Sequence, residues 1–200
     1  TSGADAASAG LDRAMRLNPL NPLYPATRAD RSWDRSVPLT PGVLASTHLD
    51  LQRAHRLDPG NPDHLFRLAQ LHARAWFEIR ADEATAARAE RLYRRGLALG
   101  RMDPRPRLEL AAFLVARGRR EDGLIEIREA LRIEPKFLMA RLALCRALLE
   151  GGDRPAAAAE LARLQAVVSE LAGYAPANGY ERDLMLFEPA ALADLDSRLR

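Results

Sequence analysis

Cysteine occurs once in this 200-residue chain, at Cys145, which excludes an internal disulfide and any metal site built from several thiolates. Lysine is just as scarce: of thirty basic residues only Lys136 is a lysine, and the rest are arginine. Aromatic residues make up 6% of the chain and runs of Val, Ile and Thr are missing, which argues against a β-rich fold. The longest uncharged apolar stretch near the middle, residues 110–116, falls far short of the roughly 20 residues that span a bilayer. Strong net charge is absent too, at +3. The pI near 9.5 is an arginine effect, because guanidinium does not titrate in the accessible range, and it is not a nucleic-acid signature. Arginine in place of lysine points to a GC-rich bacterial genome and carries no mechanism. The chain opens on Thr1 with no visible signal peptide, so it reads as a piece of a larger bacterial protein. Cytoplasm and periplasm both stay open.

What is present is Ala, Leu and Arg, a mixture that favours helix. With 48% hydrophobic and 28% charged residues the chain can bury a core and is not disordered. One phrase recurs along it: an apolar helix end, then an acidic or Asn residue, then Pro. It reads Ala14-Met15-Arg16-Leu17-Asn18-Pro19, Ala54-His55-Arg56-Leu57-Asp58-Pro59 and Ala130-Leu131-Arg132-Ile133-Glu134-Pro135. A degenerate copy is Gly96-Leu97-Ala98-Leu99, with Asp103-Pro104 three residues late. The Pro is expected to stop one helix and to fit the first turn of the next, where its missing N–H costs nothing.

Two helices fit between successive phrases. In residues 104–137, Leu108, Leu110, Ala111 and Leu114 form one apolar face. Gly118 lets the chain turn, and Gly123, Ile127, Ala130 and Leu131 face back. Residues 138–171 repeat this with Leu144, Cys145 and Leu148, a Gly151-Gly152-Asp153 turn, then Ala157, Leu161 and Leu164. The small residues Ala111, Gly123, Cys145 and Ala157 stand where two helices must approach closely.

These two 34-residue units resemble the tetratricopeptide repeat, whose period is 34. Further matches are Leu65, Leu68, Ala69 and His72 in a first helix, with Ala7, Leu11 and Ala14, Leu51 and Ala54, and Ala89, Tyr93 and Gly96 in second helices. The resemblance covers roughly residues 5–171. It implies an all-α, right-handed solenoid of antiparallel hairpins: a half repeat at 5–21, repeats at 22–61, 62–103, 104–137 and 138–171, and capping helices in 172–200. The half repeat implies that the native protein continues upstream. Two departures stand out. The family's Trp-type position is Arg107 and Arg141, and the two earlier repeats are long, with surplus near residues 32–42 and 75–83. Pro38 and Pro41 forbid continuous helix in the first surplus, and a longer helix pair absorbs the second.

In this family the first helices line a concave groove. Carried over by repeat position, the partner-binding residues are Phe66, Arg67, Gln70, Arg74, Arg105, Leu108, Glu109, Ala112, Val115, Met139, Leu142, Arg146 and Leu149. An apolar floor studded with guanidinium suits a peptide or helix with an acidic or C-terminal carboxylate element. The competing expectation is that the segment 174–200 folds back over part of this face. The set of Lys, Arg and Asn with which some relatives clamp chaperone C-termini is not reproduced at Ala26, Asp30, Phe66 and Gln70.

Chemistry has little to stand on. The phosphate-cradling, His-Glu-x-x-His and Cys-x-x-Cys motifs are missing, so no catalytic residue, cofactor or metal is expected. His48 and His55 are seven apart and could share a helix face, but the spacing supplies no third ligand. His72 and Cys145 read as packing residues, Asp82-Glu83 and Glu121-Asp122 as helix-start carboxylates, and Lys136 as a surface residue opening a helix. Arg88, Arg91 and Arg95 form a basic stripe that reads as a solvated outer face rather than a nucleic-acid surface. The leading expectation is therefore a non-catalytic protein–protein interaction scaffold. A second reading rests on residues 17–25, Leu-Asn-Pro-Leu-Asn-Pro-Leu-Tyr-Pro, which resemble the opening of the soluble tail of O-antigen polymerase and ligase-type membrane proteins. A third is a self-associating scaffold built on an open solenoid end.

Overall fold

The structure, a computed structural model, describes residues 2–33, 38–79 and 81–199, with the side chains of residues 2–8 outside that description. Among the described residues every regular element is an α-helix. In chain order they are α1 (Ser2–Leu17), α2 (Leu23–Ser32), α3 (Pro41–Leu57), α4 (Pro62–Glu78), α5 (Glu83–Leu99), α6 (Arg105–Ala116), α7 (Arg120–Ile133), α8 (Leu138–Glu150), α9 (Arg154–Glu170), α10 (Gly179–Met185) and α11 (Pro189–Leu199). They form two compact units, Thr1–Arg101 and Met102–Arg200. The surplus at 32–42 is non-helical at 38–40, with 34–37 outside the described residues. That at 75–83 lengthens α4 and α5 to 17 residues each. The match at Ala7 is likewise outside the described side chains.

The recurring Pro does only half of its expected task. Pro19, Pro59 and Pro135 stop a helix, but each occupies the second position of a four-residue turn rather than the next helix. The turns close through Asn21 N–H to Asn18 O, Asn61 N–H to Asp58 O and Phe137 N–H to Glu134 O. Lys136 therefore lies in a turn, and α8 opens two residues later. The fourth turn residue Asn61 then caps α4, whereas Asn21 stands one residue ahead of Pro22, the cap of α2. The Asn21 and Asn61 side chains accept from the Leu23 and Asp63 amides at 2.9 and 3.0 Å. Asp82 and Asp153 cap α5 and α9 in the same way.

In each unit, consecutive helices pack most extensively: α2 with α3 and α4 with α5 in the first, α6 with α7 and α8 with α9 in the second. The hairpin turns of the second unit are copies 34 residues apart. Gly118 at φ +77° and Gly152 at φ +80° hold the left-handed conformation that a Cβ disfavours. The next residue's amide reaches back to Leu114 O and Leu148 O respectively, so each helix ends on the same wrap of backbone. Close approach follows at Gly123, where an added Cβ would stand 2.6 Å from Val115 Cγ2 and 3.0 Å from the Ala111 carbonyl oxygen. Ala111, Cys145 and Ala157 are fully buried, and desolvation pushes the Cys145 thiol up to about 12, so it packs as an inert small group.

The Trp-type departure has a structural answer. Arg107 reaches from α6 to Glu126 on α7 at 2.8 Å, and Arg141 from α8 to Glu160 on α9 at 2.5 Å. Both members of the pair recur at 34 residues, and Glu126 and Glu160 are 8% and 3% exposed. An ion pair links the two helices at the position where the family uses a bulky ring. In the first unit Arg28 on α2 forks onto buried Asp50 on α3 and also reaches Asp12 on α1.

Candidate functional site

Within the second unit, α6 and α8 border an open cleft of about 280 Å³. Leu108, Ala112, Val115 and Ala116 come from one face of α6, at spacings of three and four that put them in a row. Ala143, Arg146, Ala147 and Glu150 come from one face of α8, and Ile127 of α7 closes the bottom. Four alanines, Ala112, Ala116, Ala143 and Ala147, leave the space between the two helices open. The other face of the same two helices carries Leu110, Leu114, Leu144 and Leu148 into the core. Arg146 and Glu150 are exposed at the rim, and neither has an ion-pair partner among the described residues.

Four of the residues expected to bind a partner, Leu108, Ala112, Val115 and Arg146, thus share this cleft. The others are placed differently. Met139 is 37% exposed, and Glu109 is half-buried. Leu142 is buried in a cluster with Leu195 of α11, and Leu149 packs against the same cluster beside Leu199. Arg105 is engaged by Asp103 at 2.8 Å and by Asp183 of α10 at 2.7 Å, and its guanidinium lies over the Tyr180 ring. The terminal helices therefore occupy the surroundings of Arg105, Leu142 and Leu149.

In the first unit, Phe66 is buried and its ring presses on Gly96 of α5, where an added Cβ would lie 2.5 Å from Cε1. It is a core residue, not an open floor. Arg67 pairs with Asp30 at 2.8 Å, Arg74 with Glu78 at 2.5 Å, and Gln70 is half-buried. Ala116, Ile127, Ala143, Ala147 and Glu150 went unforeseen as cleft residues. Their signal was available in the helical spacing of small residues opposite a leucine face.

The basic stripe and the histidines come together in the first unit. His72 Nε2 lies 3.1 Å from His48 Nδ1, and His48 Nε2 lies 3.0 Å from Arg88 Nη2. A guanidinium can only donate, so His48 Nε2 accepts from Arg88. His48 therefore carries its proton on Nδ1 and donates it to His72 Nε2, which leaves both rings neutral. Burial and the Arg88 charge hold His48 below its ordinary value, and burial chiefly brings His72 down to about 4. No group of three or more His, Cys, Asp or Glu able to hold a metal occurs among the described residues.

Hairpins of this length and turn chemistry define a tetratricopeptide-type fold. No family model matches the chain, and no curated protein matches it in sequence. Solved structures share its architecture. The crystal structure of MamA gives a TM-score of 0.69 at 16% identity, covering 86% of this chain and 93% of its own. TTC0263, a thermophilic TPR protein of Thermus thermophilus, gives 0.60 at 16% identity, covering 98% and 90%. YrrB, described as a TPR protein with an unusual peptide-binding site, gives 0.59 at 12% identity, covering 94% and 90%. At these identities the likeness is one of fold. No helix among the described residues is long and apolar enough to cross a membrane.

Proposed function

We propose that this chain is a non-catalytic protein-interaction module whose docking face in the second unit is the α6–α8 cleft. The observation that carries the reading is an exposed apolar trough walled by Leu108, Ala112, Val115 and Ala143, with an unpaired Arg146 on its rim. A peptide side chain of modest size fills such a trough, and a guanidinium at its edge receives a carboxylate bidentately. The tetratricopeptide-type fold and the peptide-binding site in YrrB's description support this reading. The partner is a protein segment with an acidic or C-terminal carboxylate group.

Peptides selected by display on the whole chain, measured by fluorescence anisotropy, test it. Ala143→Trp fills the trough and Arg146→Glu reverses the rim charge; each is expected to weaken the selected peptides about ten-fold or more. Amidating the peptide C-terminus distinguishes a terminal carboxylate from an acidic side chain. Equal affinities for wild type and both variants would place docking elsewhere and reject the proposal.

A further inference from the structure

A second cleft, independent of the docking face just proposed, opens in the first unit between α3 and α5, with a volume of about 360 Å³. Arg88, Arg91 and Arg95 enter it from α5 and Arg56 from α3, and no carboxylate lines it. Two other arginines of the same unit are neutralised, Arg67 by Asp30 and Arg94 by Glu90. Arg56, Arg91 and Arg95 have no such partner among the described residues. Like charges three and four apart on one helix face repel, so the arrangement costs stability until an anion enters.

Two features show more than a solvated stripe. Arg88 is not free to swing: the neutral His48 ring accepts its hydrogen bond at 3.0 Å and is itself braced by His72. His55, in the cleft wall, has a buried Nδ1 with no hydrogen-bond partner. The acid that acts on it is Asp58, whose pull on its proton is outweighed by burial and by Arg95. The bottom of the cleft is apolar, formed by Leu65, Leu68 and Leu92.

We infer that this cleft is an anion site for a small organic phosphate, a phosphate or pyrophosphate ester whose apolar body rests on the leucines. Guanidinium matches phosphate oxygens bidentately, and four of them around one opening suit more than one negative charge. The volume lies at the lower end of small-ligand sites, which fits a compact ester rather than a polymer.

Isothermal titration of the whole chain with phenyl phosphate and with inorganic pyrophosphate, at about 50 mM salt, is the test. Binding of both is expected, at about millimolar strength or tighter, weakened about ten-fold by Arg91→Gln/Arg95→Gln and unchanged by Arg132→Gln, which lies outside both clefts. Arg91, Arg95 and Arg132 are all exposed, so the variants should fold, and far-UV circular dichroism checks this. No heat with either probe, or equal binding by the double variant, overturns the inference. So does a single-stranded oligonucleotide that outcompetes both probes with a salt slope of several phosphates, which would make this a nucleic-acid surface. Because the two clefts share no residue, failure here leaves the peptide proposal standing, and the reverse holds.

Discussion

The two units solve the same packing problem with different treatments of charge. The second unit buries ion pairs between its helices, Arg107 with Glu126 and Arg141 with Glu160, and leaves an apolar trough on its surface. The first unit also joins helices through a buried carboxylate, Asp50 with Arg28, but adds neutral imidazole, His72 and half of His48, and collects unpaired guanidinium in a surface cleft. The lesson is that helix-pair geometry fixes where a cleft can open. The residues left over from packing decide what it can hold.

The sharpest way to break the comparison is to remove one partner of a buried pair. Glu160→Ala strands the buried Arg141 and is expected to cost about 3–5 kcal/mol in urea unfolding followed by far-UV circular dichroism. Replacing both members, Arg141→Met with Glu160→Leu, should recover most of that loss. If the single and double variants are equally unstable, the pair is not what joins α8 to α9.

The first unit should instead be the acid-sensitive one. His72 is held near 4 in the fold against 6.5 unfolded, so its contribution is complete above 6.5 and is lost as pH falls toward 4. Between pH 6.5 and 5 this amounts to about 2 kcal/mol, with His48, His55 and His64 acting in the same direction. Both tryptophans, Trp33 and Trp76, lie in this unit, so fluorescence-detected unfolding reads it directly. His48→Leu/His72→Leu should flatten the slope, with the remainder set by His55 and His64.

Smaller effects sharpen the contrast. Gly96→Ala must displace the Phe66 ring, and Gly123→Ala meets Val115 and a carbonyl oxygen. Overpacking less the gain in helix propensity leaves about 1 kcal/mol lost at each site. The backbone neighbour makes Gly123 the harder case to relieve. Arg132→Ala removes an exposed i,i+3 pair with Glu129 and should lower stability by about 0.2–0.5 kcal/mol in the same urea titration.

Much of this was legible in the residues. The turn glycines Gly118 and Gly152, the small residues Ala111, Gly123, Cys145 and Ala157, and the helix pairs themselves follow from local spacing, which sequence displays directly. The groove read less well because exposure depends on what a side chain meets across the fold. Phe66 falls on a groove position by repeat count, yet Gly96, on the following helix, makes room to bury it. Leu142 and Leu149 are covered by α11, whose landing place no periodicity specifies. His48 was paired in sequence with His55, seven residues away, whereas its partner in space is His72 on the next helix. Glu126 and Glu160 were findable, since they share the 34-residue step of the arginines they meet.

That shared step has a further consequence. An Arg–Glu latch of the same make closes both hairpins of the second unit, so the latch carries no address: α6 could clasp α9 as well as α7 without stranding a charge. What assigns each helix to its own mate is the shortness of the glycine bends after α6 and α8, which leave no slack to reach another. Lengthening either bend would free identical locks to exchange keys, and two copies of the chain would then be able to trade helices.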